Sequence, residues 1–297
     1  MANINAKTYT DAAVERFRRD PGSLDSVLGL VRHLRSEGRL DDAFHLCRSV
    51  MGRHSGEYEF LIEFAGVLCQ RCDAAGARRV FQRLIEISPE RVEAWNGLGA
   101  LELSEDNLDA ADEAFKRALE LDPDNAETLR NAGSCSAWRG DAAGAASYFE
   151  RALDRYAREA AENRGDARIF AAMAEVHLLL KHYDKALECG KRAASAAPGD
   201  PAGWSALRKA AVRLGDGEGY YRAVIALIND IRDDDLAMSV NDLRGMGFER
   251  EAEELLGYTV KINKKSALAD ALPFAESKAR ELTDGAVEYK IINRKST

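Results

Sequence analysis

Along most of this chain the apolar positions recur at the spacing of one helical face, and the pattern restarts every 34 residues from Leu24. Ala43, Ala77, Ala111 and Ala145 stand 34 apart. Phe81, Phe115 and Phe149 follow the last three by four residues, with Cys47 in that place in the first. Numbering each period from one, units open at Leu24, Tyr58, Val92, Ala126, Ala167 and Pro201, and a seventh near Asp233. Positions 4, 7, 8 and 11 share one face of a first helix; the third unit places Trp95, Leu98 and Gly99 at the first three of them. A second helix carries Ala111 at position 20, Phe115 at 24 and Ala118 at 27, and Pro123 at 32 ends it. Helix pairs with an exposed apolar face must stack on their neighbours, so the period predicts a solenoid rather than a compact enzyme fold.

Small residues at positions 8 and 20 let the two helices of a hairpin approach closely, while large ones at 4 and 24 fill the space between units. The third unit, with Trp95, Leu98, Gly99, Ala111, Phe115 and Pro123, resembles the tetratricopeptide repeat; Glu102 stands where that pattern has tyrosine. The resemblance implies an all-α, right-handed superhelix of about six or seven hairpins with terminal capping helices. The sixth unit is degenerate, since Tyr220 replaces the small residue at position 20.

The step from Ala126 to Ala167 is 41 residues, and the helix-friendly run Tyr148 to Asn163 predicts about two extra turns on the second helix of the fourth unit. Residues 1–23 are assigned to an N-terminal cap containing a short helix from Thr10 to Asp20, with Val14 and Phe17 on its apolar face. The repeat array is assigned to 24–265. The segment 266–297 reads as a terminal helix from Ser266 to Leu282 and a strand-like tail from Ala286 to Ile292.

A net charge of −8 at pH 7 argues against a nucleic-acid partner, whose phosphates call for a basic footprint. The N-terminus has no signal-peptide core and no apolar run reaches the length of a membrane span, so a cytoplasmic location is expected and membrane insertion is not. Five scattered cysteines do not make a disulfide framework.

Catalytic chemistry has little to rest on. Cys69-x-x-Cys72 lacks a second ligand pair for zinc and reads as structural, buried cysteine. His177, at packing position 11, reads as a satisfied core histidine and His182 as a turn residue. Gly97-x-Gly99 and Gly215-Asp216-Gly217-Glu218-Gly219 lack the context of a phosphate loop. No cofactor, no metal site and no enzymatic activity is expected.

In the family that this chain resembles, side chains at positions 2, 5, 9 and 12 line a concave groove, about 140° around the first helix from its core stripe. Here those positions include Glu59, Ile62, Glu93, Asn96, Arg130, Ser134, Arg168, Glu175 and Lys209, with Trp138 at the edge and Arg213 adding to a basic C-terminal half. Some family members clamp a terminal carboxylate. The nearest trio, Asn96, Asn131 and Arg168, is incomplete because Ala100 and Ala172 are neutral. The expectation is a non-catalytic scaffold or adaptor holding an acidic or carboxylate-bearing peptide or helix. The alternative is a self-assembling structural protein, pairing through its C-terminal repeats or tail.

Overall fold

The computed structural model describes residues 12–228 and 233–261. Every regular element among them is an α-helix. Helix α1 covers residues 12–19, and Val14 and Phe17 pack on the first hydrophobic core. The first helices of the hairpins are α2 (Leu24–Ser36), α4 (Tyr58–Gln70), α6 (Val92–Ser104), α8 (Ala126–Trp138), α10 (Ala167–Leu179), α12 (Pro201–Leu214) and α14 (Asp233–Gly245). Their partners are α3 (Leu40–His54), α5 (Ala74–Ile87), α7 (Leu108–Leu121), α9 (Ala142–Glu162), α11 (Tyr183–Ala196), α13 (Gly217–Ala226) and α15 (Glu249–Lys261). The terminal helix and strand-like tail expected after residue 265 lie outside the described residues.

The chain divides into two compact units, Met1–Ala157 and Arg158–Thr297, with the division falling within α9. In the first, α2 packs on α3 and α4, α5 on α4 and α6, and α8 on α6 and α7. In the second, α10 packs on α11 and α12, α11 on α12, and α13 on α12, α14 and α15. Each unit is thus a run of hairpins leaning on the next, an all-α repeat solenoid. Helix α9 has 21 residues where α5, α7 and α11 have 14 each, so the surplus of the fourth period lengthens this helix.

One turn recurs in all seven hairpins. Position 15 is left-handed each time: Gly38, Cys72, Asp106, Gly140, Lys181, Gly215 and Gly247 have φ between 58 and 85°. The amide at position 16 then donates back to the carbonyl at position 11, as from Asn107 to Glu102 and from His182 to His177, each at 2.8 Å. This is the six-to-one bond of a Schellman turn, which satisfies a carbonyl that the helix end would leave unpaired. Asp73, Asp141 and Asp216 next cap the second helices, accepting from the amides of Gly76, Gly144 and Gly219 at 2.9 Å each. The glycine-rich run around Asp216 is therefore a helix stop followed by a helix start.

The periodic residue types have packing causes. A Cβ on Gly99 would stand 2.6 Å from the Phe115 ring, and one on Gly133 equally close to Phe149, so position 8 is small because the position-24 aromatic of the same hairpin lies on it. Trp95 and Trp204 each donate Nε1–H to the carbonyl of the proline six residues before, Pro89 at 2.9 Å and Pro198 at 3.0 Å, fixing the entry of α6 and α12. Helices α11 and α12 meet backbone to backbone. A Cβ on Gly203 would lie 2.6 Å from the Ala194 amide nitrogen, and one on Gly190 2.8 Å from that of Leu207.

Two sequence expectations change. Cys69 and Cys72 are exposed, because they sit where α4 ends and its turn faces solvent. His177 is buried, but its Nδ1 has no hydrogen-bond partner among the described residues.

Candidate partner-binding surface

In the first unit, the expected contact residues lie on α4, α6 and α8. Glu59 is exposed in the first turn of α4, and the Arg91 guanidinium reaches it at 3.0 Å from the N-cap of α6. That hydrogen bond holds the Glu59 carboxyl below the usual glutamate range. Arg91 also lies 3.5 Å from exposed Glu93 and stacks 3.7 Å above the Tyr58 ring, so one cation ties α4 to α6. Burial raises the Tyr58 hydroxyl to about 12. Ile62 is half-buried against the core.

Asn96 is only 8% exposed, and its Oδ1 accepts a hydrogen bond from Asn131 Nδ2 at 3.0 Å. Two members of the nearest carboxylate-clamp trio are thereby joined to each other across α6 and α8. Arg130 is half-buried, and the Ser134 hydroxyl turns back to the Arg130 carbonyl at 3.2 Å. Trp138, 60% exposed at the end of α8, is a large apolar surface with little of its own chain around it.

In the second unit, Arg168 lies on α10, exposed, with its guanidinium 2.9 Å from Asp166, the N-cap that also accepts from the Arg168 amide. Arg168 is the main reason the Asp166 carboxyl sits below the usual aspartate range. Glu175 is half-buried two turns on. Lys209 and Arg213 stand four residues apart on α12, hence on one face; both are exposed and neither has an ion pair among the described residues.

The structure adds pairings that the periodic pattern does not give. Glu63 on α4 takes Arg32 and Arg35 from α2. Glu102, 5% exposed, receives Arg78 from α5 and Asn107 from its own turn. Arg78, Glu102, Asp106, Asn107, Asp109 and Arg139 line an open depression beside the third hairpin's turn, where Arg139 reaches Asp109 at 2.6 Å. The acidic excess is concentrated here too: Lys116, Arg117, Arg130 and Arg139 are the basic residues of 101–150, against a large majority of aspartates and glutamates. Among the described residues no group of three or more histidines, cysteines or carboxylates is arranged to hold a metal ion, and no helix is long and apolar enough to cross a membrane.

Three family models, each described as tetratricopeptide repeat, match residues 34–102, 92–125 and 124–198. No curated protein matches the sequence. Among solved structures, one from the APC/C hetero-tetramer Cut9–Hcn1 aligns over 81% of this chain with a TM-score of 0.57 and 14% identity; this chain spans 46% of its length. TTC0263, a thermophilic TPR protein of Thermus thermophilus, aligns over 63% of this chain and 98% of its own, with a TM-score of 0.51 and 21% identity. Those two likenesses speak to the fold alone; proteins built from the repeat that the family models match generally serve as non-catalytic scaffolds for protein–protein interaction. With consecutive family models spanning the central hairpins, and the same turn closing all seven, the chain belongs to the tetratricopeptide repeat family.

Proposed function

We propose that this protein is a non-catalytic adaptor whose first helices hold a segment of a partner protein, and that the second unit takes an acidic or carboxylate-bearing stretch. The observation behind this reading is the pair Lys209 and Arg213, exposed one turn apart on α12 without an ion pair among the described residues, with Arg168 on the neighbouring α10. Uncommitted cations on a preformed helix offer charge-assisted hydrogen bonds to carboxylates, and the backbone that carries them needs no ordering when the partner binds. Asn96 and Asn131, already bonded to each other, act in this reading as a strut between α6 and α8 rather than as ligands.

The test is affinity capture with the intact chain beside an Arg168→Ala/Lys209→Ala/Arg213→Ala variant, with circular dichroism confirming equal helicity. A protein held by the first and lost by the second supports the adaptor reading and identifies the client. Equal retention by both refutes the assigned face. Recovery of the chain alone, with a mass that grows with concentration, favours self-assembly instead.

A further inference from the structure

The recurrent turn brings positions 11 and 16 of each hairpin together, since in this motif the side chains before and after the left-handed residue tend to touch. In the third hairpin they are Glu102 and Asn107, whose side chains hydrogen-bond at 2.9 Å. In the fifth they are His177 and His182. The His182 amide donates to the His177 carbonyl at 2.8 Å, and the imidazole centroids stand 5.9 Å apart with planes inclined by 45°. His177 is 8% exposed and its Nδ1 has no hydrogen-bond partner among the described residues; His182 is exposed, so solvent reaches the pair from one side. A buried ring nitrogen left without a partner is costly, and such a group calls for an explanation.

We propose that His177 and His182 form a two-imidazole binding site for a borderline divalent metal ion of the zinc, nickel or copper(II) class, with water or a donor from a bound partner completing the coordination. Metal–nitrogen bonds of 2.0–2.1 Å put two ligating rings roughly 5.2 Å apart between centroids at a tetrahedral angle and roughly 6.4 Å apart when linear. The observed separation of 5.9 Å lies between these limits, so the spacing of the two rings is compatible with a shared ion. Imidazole is a preferred ligand of these ions, whereas calcium and magnesium favour oxygen. Burial, then Lys185 and His182, makes His177 harder to protonate, which keeps it in the neutral form that ligates metals. Lys185 also repels a cation, and only two protein ligands are supplied, so affinity falls well below that of a closed four-ligand zinc site.

The experiment is titration calorimetry and thermal unfolding of the full chain at pH 7.5 with zinc, nickel or copper(II) chloride. Wild type is compared with His182→Ala, His182→Gln and the exposed first-unit control His45→Ala. One equivalent should bind to wild type and to His45→Ala and raise their melting temperatures, because an ion that binds only the folded state stabilises it. Either His182 variant should bind at least tenfold more weakly. No stoichiometric binding by wild type, or undiminished binding by both His182 variants, would overturn the proposal.

Discussion

Arg78 on α5 closes as a two-point fork on the Glu102 carboxylate of α6, with Nη2 donating to Oε2 at 2.9 Å and Nε donating to Oε1. Glu102 is the buried member and Arg78 the more exposed one, so the pair ties the second hairpin to the third. Removing the cation leaves a buried carboxylate with Asn107 alone. Arg78→Ala is therefore expected to lower stability by about 2 kcal/mol, read by urea unfolding at pH 7. Chiefly through Arg78, the Glu102 carboxyl sits below its usual range. Its contribution is full above the unfolded glutamate value and is lost as pH falls through the lower native value. The difference between wild type and Arg78→Ala should accordingly shrink in acid.

Gly203→Ala tests the contact between α11 and α12. The added methyl meets backbone atoms of Ala193 and Ala194, which cannot swing aside as a side chain tip can. Overpacking of about 1–3 kcal/mol is expected to outweigh the helix-propensity gain of about 1 kcal/mol. A lower melting temperature by circular dichroism is the expected result, and an unchanged or higher one refutes the close approach.

Cys72→Gly should act in the opposite direction. Cys72 has φ 58° at the turn position where Gly38, Gly140, Gly215 and Gly247 stand in other hairpins. Left-handed backbone costs an ordinary residue about 1–2 kcal/mol, and glycine's greater freedom in the unfolded chain cancels part of the gain. A net stabilisation of about 0.5 kcal/mol is expected in chemical denaturation. Asp106→Gly should gain less, since aspartate tolerates this conformation better.

His177 gives the second unit a pH dependence. Burial is the main cause that lowers its affinity for protons, with Lys185 and His182 adding to it. The unfolded chain therefore binds a proton more readily than the native one below the usual histidine value. Stability is full above that value and declines as pH drops toward the lower native one. Unfolding midpoints compared at pH 7.5 and 5.5 should show this loss in wild type, and a smaller loss in His177→Gln.

The hairpins were legible because small residues at positions 8 and 20 answer to geometry within one period: Gly99 sees Phe115, sixteen residues away. The turn at position 15 was legible only where glycine marks it, and Cys72, Asp106 and Lys181 conceal the same conformation. Glu102 stood out as a departure from tyrosine, but its partner lies in the preceding hairpin, and no spacing within a period points to Arg78. Asn96 occupies a groove position in the register, yet packing of α6 beside α8 commits its carbonyl to Asn131. His177 and His182 are five apart, which is not a helical ligand spacing; the left-handed Lys181 between them makes the pair.

In an array where each hairpin touches mainly the next, resistance to opening is set joint by joint. At Gly190 and Gly203 the joint between α11 and α12 has backbone against backbone, leaving little for side-chain motion to loosen. Fraying that starts at α15 therefore meets its firmest obstacle there. The amides of α11 and α12 should exchange with solvent together, as one cooperative block and the slowest within the second unit.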